Sequence, residues 1–327
     1  MTASGMKAIN GMLQTFRVVF AVPILLCAAL LLLEFAPVRS RNLEVDAVFF
    51  QGDPPPPLTS ESTCEDIVQW LPPETQAPVL VQVANKGYLT MELNFLLLMK
   101  KNSAYPMSNM FLLCLDEETK AALHGFGGIR CVDVDGVTAG DHFHHIWLFR
   151  TRVLTCLVGH GVDVLMSDND ALWVQDPLPD LSSIEGDVLI QRGSMPKKLG
   201  DRVYGVTMCM GFALFRAGGE GMKTLLDEML KATLETNDDQ IGLNTAAHRL
   251  GLTWDYTTDI RYGESTGIGR GVLSSLPGNF TVALLPNSQY TRNLEFTTIS
   301  SDTIVAHCFP KNERISLMRH FGLWLLD

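Results

Sequence analysis

The residues with the clearest chemical potential close a short apolar run: Val164-Leu-Met-Ser-Asp168-Asn-Asp170-Ala-Leu-Trp-Val-Gln-Asp176-Pro177. In extended backbone, residues i and i+2 project to the same side. Asp168 and Asp170 can therefore face one cation at the carboxyl end of a strand. Two hard oxygen ligands, with positions left for phosphate oxygens, suit Mn²⁺ or Mg²⁺. The same tripeptide also serves as a turn or a helix cap, so its surroundings must decide. An EF-hand loop needs Asp or Asn in the fifth place and Gly in the sixth, where Leu172 and Trp173 stand. A phosphatase with Asp168 as nucleophile would carry Thr or Val where Leu172 stands. No Walker A motif is present, because Gly219-Glu-Gly-Met-Lys223-Thr224 lacks the spacing. Gly267-Ile-Gly-Arg-Gly271 is not GxGxxG and reads as a loop.

These carboxylates need a scaffold, and the chain from Pro78 onward supplies one. Strand-like runs at Val79–Val83, Met110–Leu115, Ile129–Val134 and Val162–Met166 alternate with helical patterns at Leu89–Met99, Glu117–Leu123 and Phe143–Val158. Repeated strand–helix–strand order predicts an α/β domain, a Rossmann-like, mainly parallel sheet covered by helices on both faces. Ligands of such sheets bind beyond the carboxyl ends of the strands. After residue 185 the order is less regular. Asp187–Gln191, Cys209–Phe215, Phe280–Leu285 and Thr303–Cys308 read as strands, and Gly221–Leu234, Asp239–Leu250 and Ile315–Leu326 as helices.

The 327 residues carry Lys+Arg 25 against Asp+Glu 36, a net charge of −11. That argues against a nucleic-acid binder, which needs a basic face for phosphates. It leaves room for a nucleotide, since a bound metal supplies local positive charge. Val18–Leu33 is an unbroken apolar run, extended to Val38 with Glu34 as its one charge. It is longer than a usual signal-peptide core and predicts a signal-anchor helix over 18–38, after a cytoplasmic tail over 1–17, with a cleaved signal peptide as the alternative. Residues 39–77, with four consecutive prolines ending at Pro57, read as an extended stem. The domain follows over 78–327. In a lumen the cysteines are free to pair, but Cys114 and Cys131 sit in apolar strand-like runs and read as small buried hydrophobes. Asn279-Phe280-Thr281 is the one N-x-S/T sequon.

Five segments, in order, resemble the nucleotide-diphospho-sugar transferase family, which includes plant extensin arabinosyltransferases and rhamnogalacturonan xylosyltransferases. They are Ala84-Asn-Lys-Gly-Tyr88; Trp147–Leu157 leading into Gly161-Val-Asp-Val-Leu165; the Asp168/Asp170 segment; Asn237-Asp-Asp239-Gln240 with Asn244; and His307 with Arg314 and Gly322-Leu-Trp-Leu-Leu-Asp327. The resemblance implies a GT-A architecture, a divalent metal and a nucleotide-sugar donor, of the UDP class. The implied acceptor is a glycan or glycoprotein hydroxyl, and the implied outcome is retention of anomeric configuration. It also implies a Golgi or other secretory-pathway membrane, single-pass type II, with the domain in the lumen.

Carried over residue by residue, Asp168, Asp170 and His307 would be metal ligands. Asn85, Lys86, Gly87 and Tyr88 would lie by the base and ribose, one of Arg150 and Arg152 by the diphosphate, with Arg152 favoured by its register, and Gly211 by the donor. Asp239 and Gln240 would sit by the reacting sugar. Cys209-Met-Gly211-Phe212 keeps the family's Gly-Phe pair but replaces the polar pair before it. That substitution motivates an alternative, a sugar-nucleotide or glycan-binding module without turnover.

Overall fold

The structure is a computed structural model that describes residues 55–71, 78–123, 126, 128–136, 143–200, 205–263, 265–292, 299–307 and 312–326. The expected tail, the anchor over 18–38, residues 39–54 and 72–77 of the expected stem, and Cys308 lie outside the described residues. Among the described residues, no helix is long and apolar enough to cross a membrane.

In chain order the elements are α1 (Cys64–Val68), β1 (Val79–Ala84), α2 (Leu89–Asn102), β2 (Met110–Cys114), α3 (Glu117–Leu123), β3 (Arg130–Asp133), α4 (Phe143–Gly159), β4 (Val164–Ser167), β5 (Leu172–Trp173), α5 (Leu178–Ser183), β6 (Val188–Gly193), β7 (Thr207–Phe215), α6 (Gly219–Thr236), α7 (Asp239–Arg249), β8 (Leu252–Asp255), β9 (Gly269–Leu273), β10 (Thr281–Leu284), β11 (Tyr290–Arg292), β12 (Val305–His307) and α8 (Arg314–His320). Among the described residues, nine strands form one sheet in the order β3-β2-β1-β4-β7-β6-β10-β9-β8, and three form a small sheet, β11-β12-β5. In the large sheet only β7 and β9 run against the other strands. The result is a mixed α/β fold with a mainly parallel set of strand directions.

The alternation of β1 shows how the sheet divides the core. Val79 and Val81 pack into one apolar cluster with α1, α4, α6 and α7. Leu80 and Ala84 pack into the other with α2, α3, α5, α8 and the small sheet. Strands buried on both faces must be apolar at nearly every position, which is why β1, β2 and β4 read so plainly in the sequence. Each fully buried Leu, Val or Phe on these faces contributes roughly 1.5–3 kcal/mol.

Four expectations are corrected. Residues 55–71 are part of the globule rather than stem. Leu58 is fully buried and pairs beside the edge strand β3, its N–H donating to Asp133 O at 2.7 Å and its carbonyl accepting from Asp135 N at 2.8 Å. Thr63 and Asp66 form a reciprocal cap on α1, and Cys64 is bonded to Cys156 of α4. That bridge spans 92 residues, a separation worth roughly 4–5 kcal/mol in the chain-entropy account. Cys114 and Cys131, expected as unpaired hydrophobes, form a second disulfide between adjacent β2 and β3. Gly267–Gly271, expected as a loop, enters β9 at Gly269. The apolar signal is missing there because a glycine faces an aromatic ring: a Cβ on Gly271 would stand 2.6 Å from the ring of Trp254, its cross-strand partner. The terminal helix stops at His320, and Gly322 takes a positive φ of 69°. The tail then docks on α2, with Asn94 donating to Leu323 O and accepting from Leu325 N.

One buried charge site stands out in this scaffold. Glu92 of α2 is fully buried, and among the described residues both its carboxyl oxygens lack a hydrogen-bond partner. Burial alone pushes its pKa up to about 8. The folded state then holds a proton that the unfolded chain releases near pH 4.5. Stability should fall by about 1.4 kcal/mol per pH unit between roughly pH 4.5 and 8 on account of this group. Urea unfolding across that window should show the decline in the parent protein and its loss in Glu92→Gln; identical pH profiles would contradict it.

Candidate functional site

The site forms where the small sheet meets the large one. Asp168 follows β4, and its N–H donates to Gly211 O of antiparallel β7 at 2.8 Å. The chain then turns sharply, with Ala171 N donating to Asp168 O at 2.9 Å. Asp168 and Asp170 do converge, but across this turn rather than along a strand. After it, β5 pairs antiparallel with β12, placing Ala306 opposite Leu172. This register sets His307, the last residue of β12, beside the turn. Trp173 anchors β5, fully buried and edge-on to Phe95 and Tyr105 at 5.9 and 5.7 Å.

His307 Nε2 lies 3.8 Å from Asp168 Oδ2 and 3.6 Å from Asp170 Oδ1. The proton on this ring is fixed from behind. Gln191 Nε2 donates to Tyr290 O at 2.9 Å and Thr291 O at 3.2 Å. Its Oε1 therefore accepts from His307 Nδ1, at 2.5 Å. With Nδ1 protonated, the neutral imidazole presents a bare Nε2 lone pair to the carboxylates. Burial keeps it neutral, pushing its pKa below the ordinary value against the pull of Asp170 and Asp168, with Arg292 and Arg314 pushing the same way. Three lone-pair donors thus face one another, and their candidate ligand atoms all lie within 4.8 Å of one another. Two ligands each about 2.1 Å from one ion stand about 3.0–4.2 Å apart, and the two edges of the triangle at His307, 3.8 and 3.6 Å, fall within that range. Gly211 makes room for it: a Cβ there would stand 2.2 Å from His307 Cε1 and 2.7 Å from Asp168 Oδ2.

Arginines surround the triangle. Arg150 Nη1 meets Asp168 Oδ1 at 2.7 Å, and its Nε meets Asp239 Oδ2 at 2.7 Å, with Nη2 on the same oxygen. Trp147 lies beneath the guanidinium at 4.6 Å. Arg314 Nη2 meets Asp170 Oδ2 at 3.1 Å. Burial opposes the ionisation of Asp168, but the Arg150 guanidinium outweighs it and holds its pKa below the ordinary value. Burial raises the pKa of Asp239 despite the neighbouring Arg150. Above these groups is a cleft of about 400 Å³ lined by Asn85, Tyr88, Trp147, Arg150, Asp168, Asp170, Cys209, Gln240, Arg292, His307 and Arg314, among others.

The structure brings Asp168, Asp170, His307, Asn85, Tyr88 and Gln240 to this one cleft. Gly211 lies beneath the triangle and Asp239 behind Arg150, neither on the cleft wall. Lys86 and Gly87 are outside the cleft wall; Lys86 N donates to Asp116 and fixes the turn after β1. Arg152 is a correction. Its guanidinium donates to Ser60 O and Ser62 O, stapling residues 55–71 to α4, while Arg150 points into the cleft. The two arginines are two residues apart on a helix, so they diverge by about 200°. Asn244 brackets Met208 of β7 through its N–H and carbonyl, and Asp238, not Asp239, caps α7. Gln191 and Arg292 were not singled out from the sequence. Gln191 follows three apolar residues of β6 and precedes Arg192, and a pair of polar residues continuing an apolar strand is the available signal.

Replacing Gln191 by Leu frees the His307 ring and its proton. Divalent-ion affinity, read by Mn²⁺ titration calorimetry, should fall by about 10–100-fold with the fold retained; an unchanged affinity would contradict the orienting role.

A sequence model described as nucleotide-diphospho-sugar transferase matches residues 106–317, well over half of the chain. Comparison with curated proteins gives no match. Similar solved structures include the WbbM bifunctional glycosyltransferase, at 13% identity and TM-score 0.41, over 54% of this chain and 38% of that one. Another is the glycosyltransferase GlyE of Streptococcus pneumoniae TIGR4, at 17% and 0.37, over 52% and 43%. A third is the galactosyltransferase LgtC, at 18% and 0.34, over 50% and 70%. The matched part of this chain thus spans less than half the length of the first two. The family match, which takes in β4 with its aspartate turn, β7, α7 and β12, makes this chain a member of the nucleotide-diphospho-sugar transferase family.

Proposed function

We propose that the protein is a metal-dependent glycosyltransferase of GT-A architecture. It would move a sugar from a nucleoside-diphosphate sugar, of the UDP class, to a hydroxyl of a glycan or glycoprotein. The observation that carries this reading is the triangle of Asp168, Asp170 and His307, opening into a cleft beyond the carboxyl ends of β1 and β4. These three residues would hold Mn²⁺ or Mg²⁺. Bound there, a dication acts as a Lewis acid toward the charge that builds on a departing diphosphate.

The surrounding residues take their roles from their positions. Asn85 and Tyr88 would receive the base and ribose at the end of β1. Arg150, rather than Arg152, would face the diphosphate, together with Arg292 and Arg314. Asp239 would position Arg150, and Gln240 would face the reacting sugar. The charges balance in number: Arg150, Arg292 and Arg314 offset Asp168, Asp170 and Asp239, and a dication offsets the two negative charges of a nucleoside-diphosphate sugar. Cation and donor would therefore each improve the site for the other. Asp239 is engaged by Arg150, so retention by same-face displacement, with the acceptor hydroxyl attacking beside the leaving diphosphate, fits better than attack by that carboxylate.

The two disulfides support a lumenal, secretory-pathway location, with residues 18–38 as the type II Golgi anchor. Cys209 on the cleft wall favours the second reading, a nucleotide-sugar-binding module without turnover.

A panel of UDP-, GDP- and CMP-sugars, assayed with and without Mn²⁺, tests the proposal. Mn²⁺-dependent hydrolysis of a UDP-sugar is expected. Asp168→Asn and Asp170→Asn should each lose at least about 10²-fold of it while their circular dichroism stays unchanged. Binding without turnover would favour the module, and full metal-dependent turnover by either variant would contradict the assigned ligands. Release of inorganic phosphate from simple esters would point instead to a phosphatase.

A further inference from the structure

The sequon Asn279-Phe280-Thr281 plays no part in the cleft, and the fold gives it a definite setting. Asn279 is exposed in the turn between β9 and β10, with a positive φ of 56°. Asparagine tolerates that left-handed conformation better than most residues. Its neighbours are pinned. Phe280 is buried against α6, where a Cβ on Gly221 would stand 2.9 Å from its ring. Thr281 begins β10, and its N–H and hydroxyl both donate to Asp187 Oδ2, at 2.7 and 3.1 Å. Asn279, next to these two fixed residues, is the one left facing solvent.

Two further observations bear on what that amide meets. The bonds Cys64–Cys156 and Cys114–Cys131 require an oxidising compartment during folding. And β10 runs parallel to β6, in the same direction as β1 and β4, so its amino end lies at the pole of the sheet opposite the cleft. A bulky group on Asn279 would meet solvent and leave the cleft open.

We infer that Asn279 is an N-glycosylation site, modified before β10 pairs with β6. In this step Asn279 Nδ2 attacks the anomeric carbon of a lipid-diphosphate-linked oligosaccharide. A C–N bond forms, the C–O bond to the diphosphate breaks, the lipid diphosphate departs and the amide gives up one proton. The timing follows from Thr281: its hydroxyl, which the sequon must present to the modifying enzyme, is taken by Asp187 in the folded chain. The inference stands apart from the transferase reading, since no cleft residue takes part in it.

The full chain translated in a cell-free system with and without microsomes tests it. A protease-protected product of lower mobility, restored by endoglycosidase H, is expected. Asn279→Gln and Thr281→Ala should both abolish the shift, while Thr281→Ser should retain it. Because Thr281→Ser keeps a hydroxyl for Asp187, it separates loss of the sequon from loss of the turn. A protected but unshifted product, an unprotected and unshifted one, or a shift that survives in Asn279→Gln would each overturn the inference.

Discussion

The imidazole of His307 would be of no use to a cation if the ring carried its proton on the wrong nitrogen. Gln191 decides this. Its amide is itself oriented by two backbone carbonyls of β11, so its oxygen can only accept. That acceptance fixes the proton on Nδ1 and leaves Nε2 to face Asp168 and Asp170. The information thus runs from the backbone of the small sheet, through one buried amide, to the atom that would touch an ion. Orientation of this type is what keeps a metal-binding histidine in one tautomer.

The scaffold around that contact has to tolerate much buried charge. Arg150 is nearly inaccessible, yet it remains charged because Asp239 and Asp168 together outweigh the cost of its burial. Removing one member of such a cluster would leave an uncompensated charge in a poorly solvated place. The same arrangement divides the labour of Asp168. One oxygen is held by Arg150 and the other is turned toward His307. Gly211 completes the geometry by presenting no side chain where the ring and the carboxylate meet. It therefore serves the site as absent volume, from beneath it.

Much of this architecture is legible in the sequence. The parallel strands β1, β2 and β4 are buried on both faces, and burial of that kind leaves an unbroken apolar record. The aspartate pair, His307, Asn85, Tyr88 and Gln240 come together as the ordered motifs suggest. What escapes has specific causes. The strand β9 is glycine-rich because Trp254 packs over Gly271 and the backbone of Asp259 and Ile260 over Gly269, so its apolar pattern is interrupted. Residues 55–71 look like linker because three scattered buried side chains, Leu58, Ile67 and Trp70, one disulfide and the two contacts of Arg152 fix them, and these are too few to write a periodic signal. Arg150 and Arg152 are alike in type and two positions apart, and only helix rotation tells the cleft-facing one from the one that holds Ser60 and Ser62. Cys114 and Cys131 are apolar in context and paired in space, a distinction set by strand order alone.

The central claim is that one small dication is held by Asp168, Asp170 and His307. Anomalous diffraction at the manganese edge from crystals grown with Mn²⁺ and UDP tests it most directly. The account predicts a single strong peak within bonding distance of Asp168 Oδ2, Asp170 Oδ1 and His307 Nε2, with the diphosphate on its open side. A peak elsewhere in the cleft, or a nucleotide bound there with no peak beside these three atoms, would contradict it.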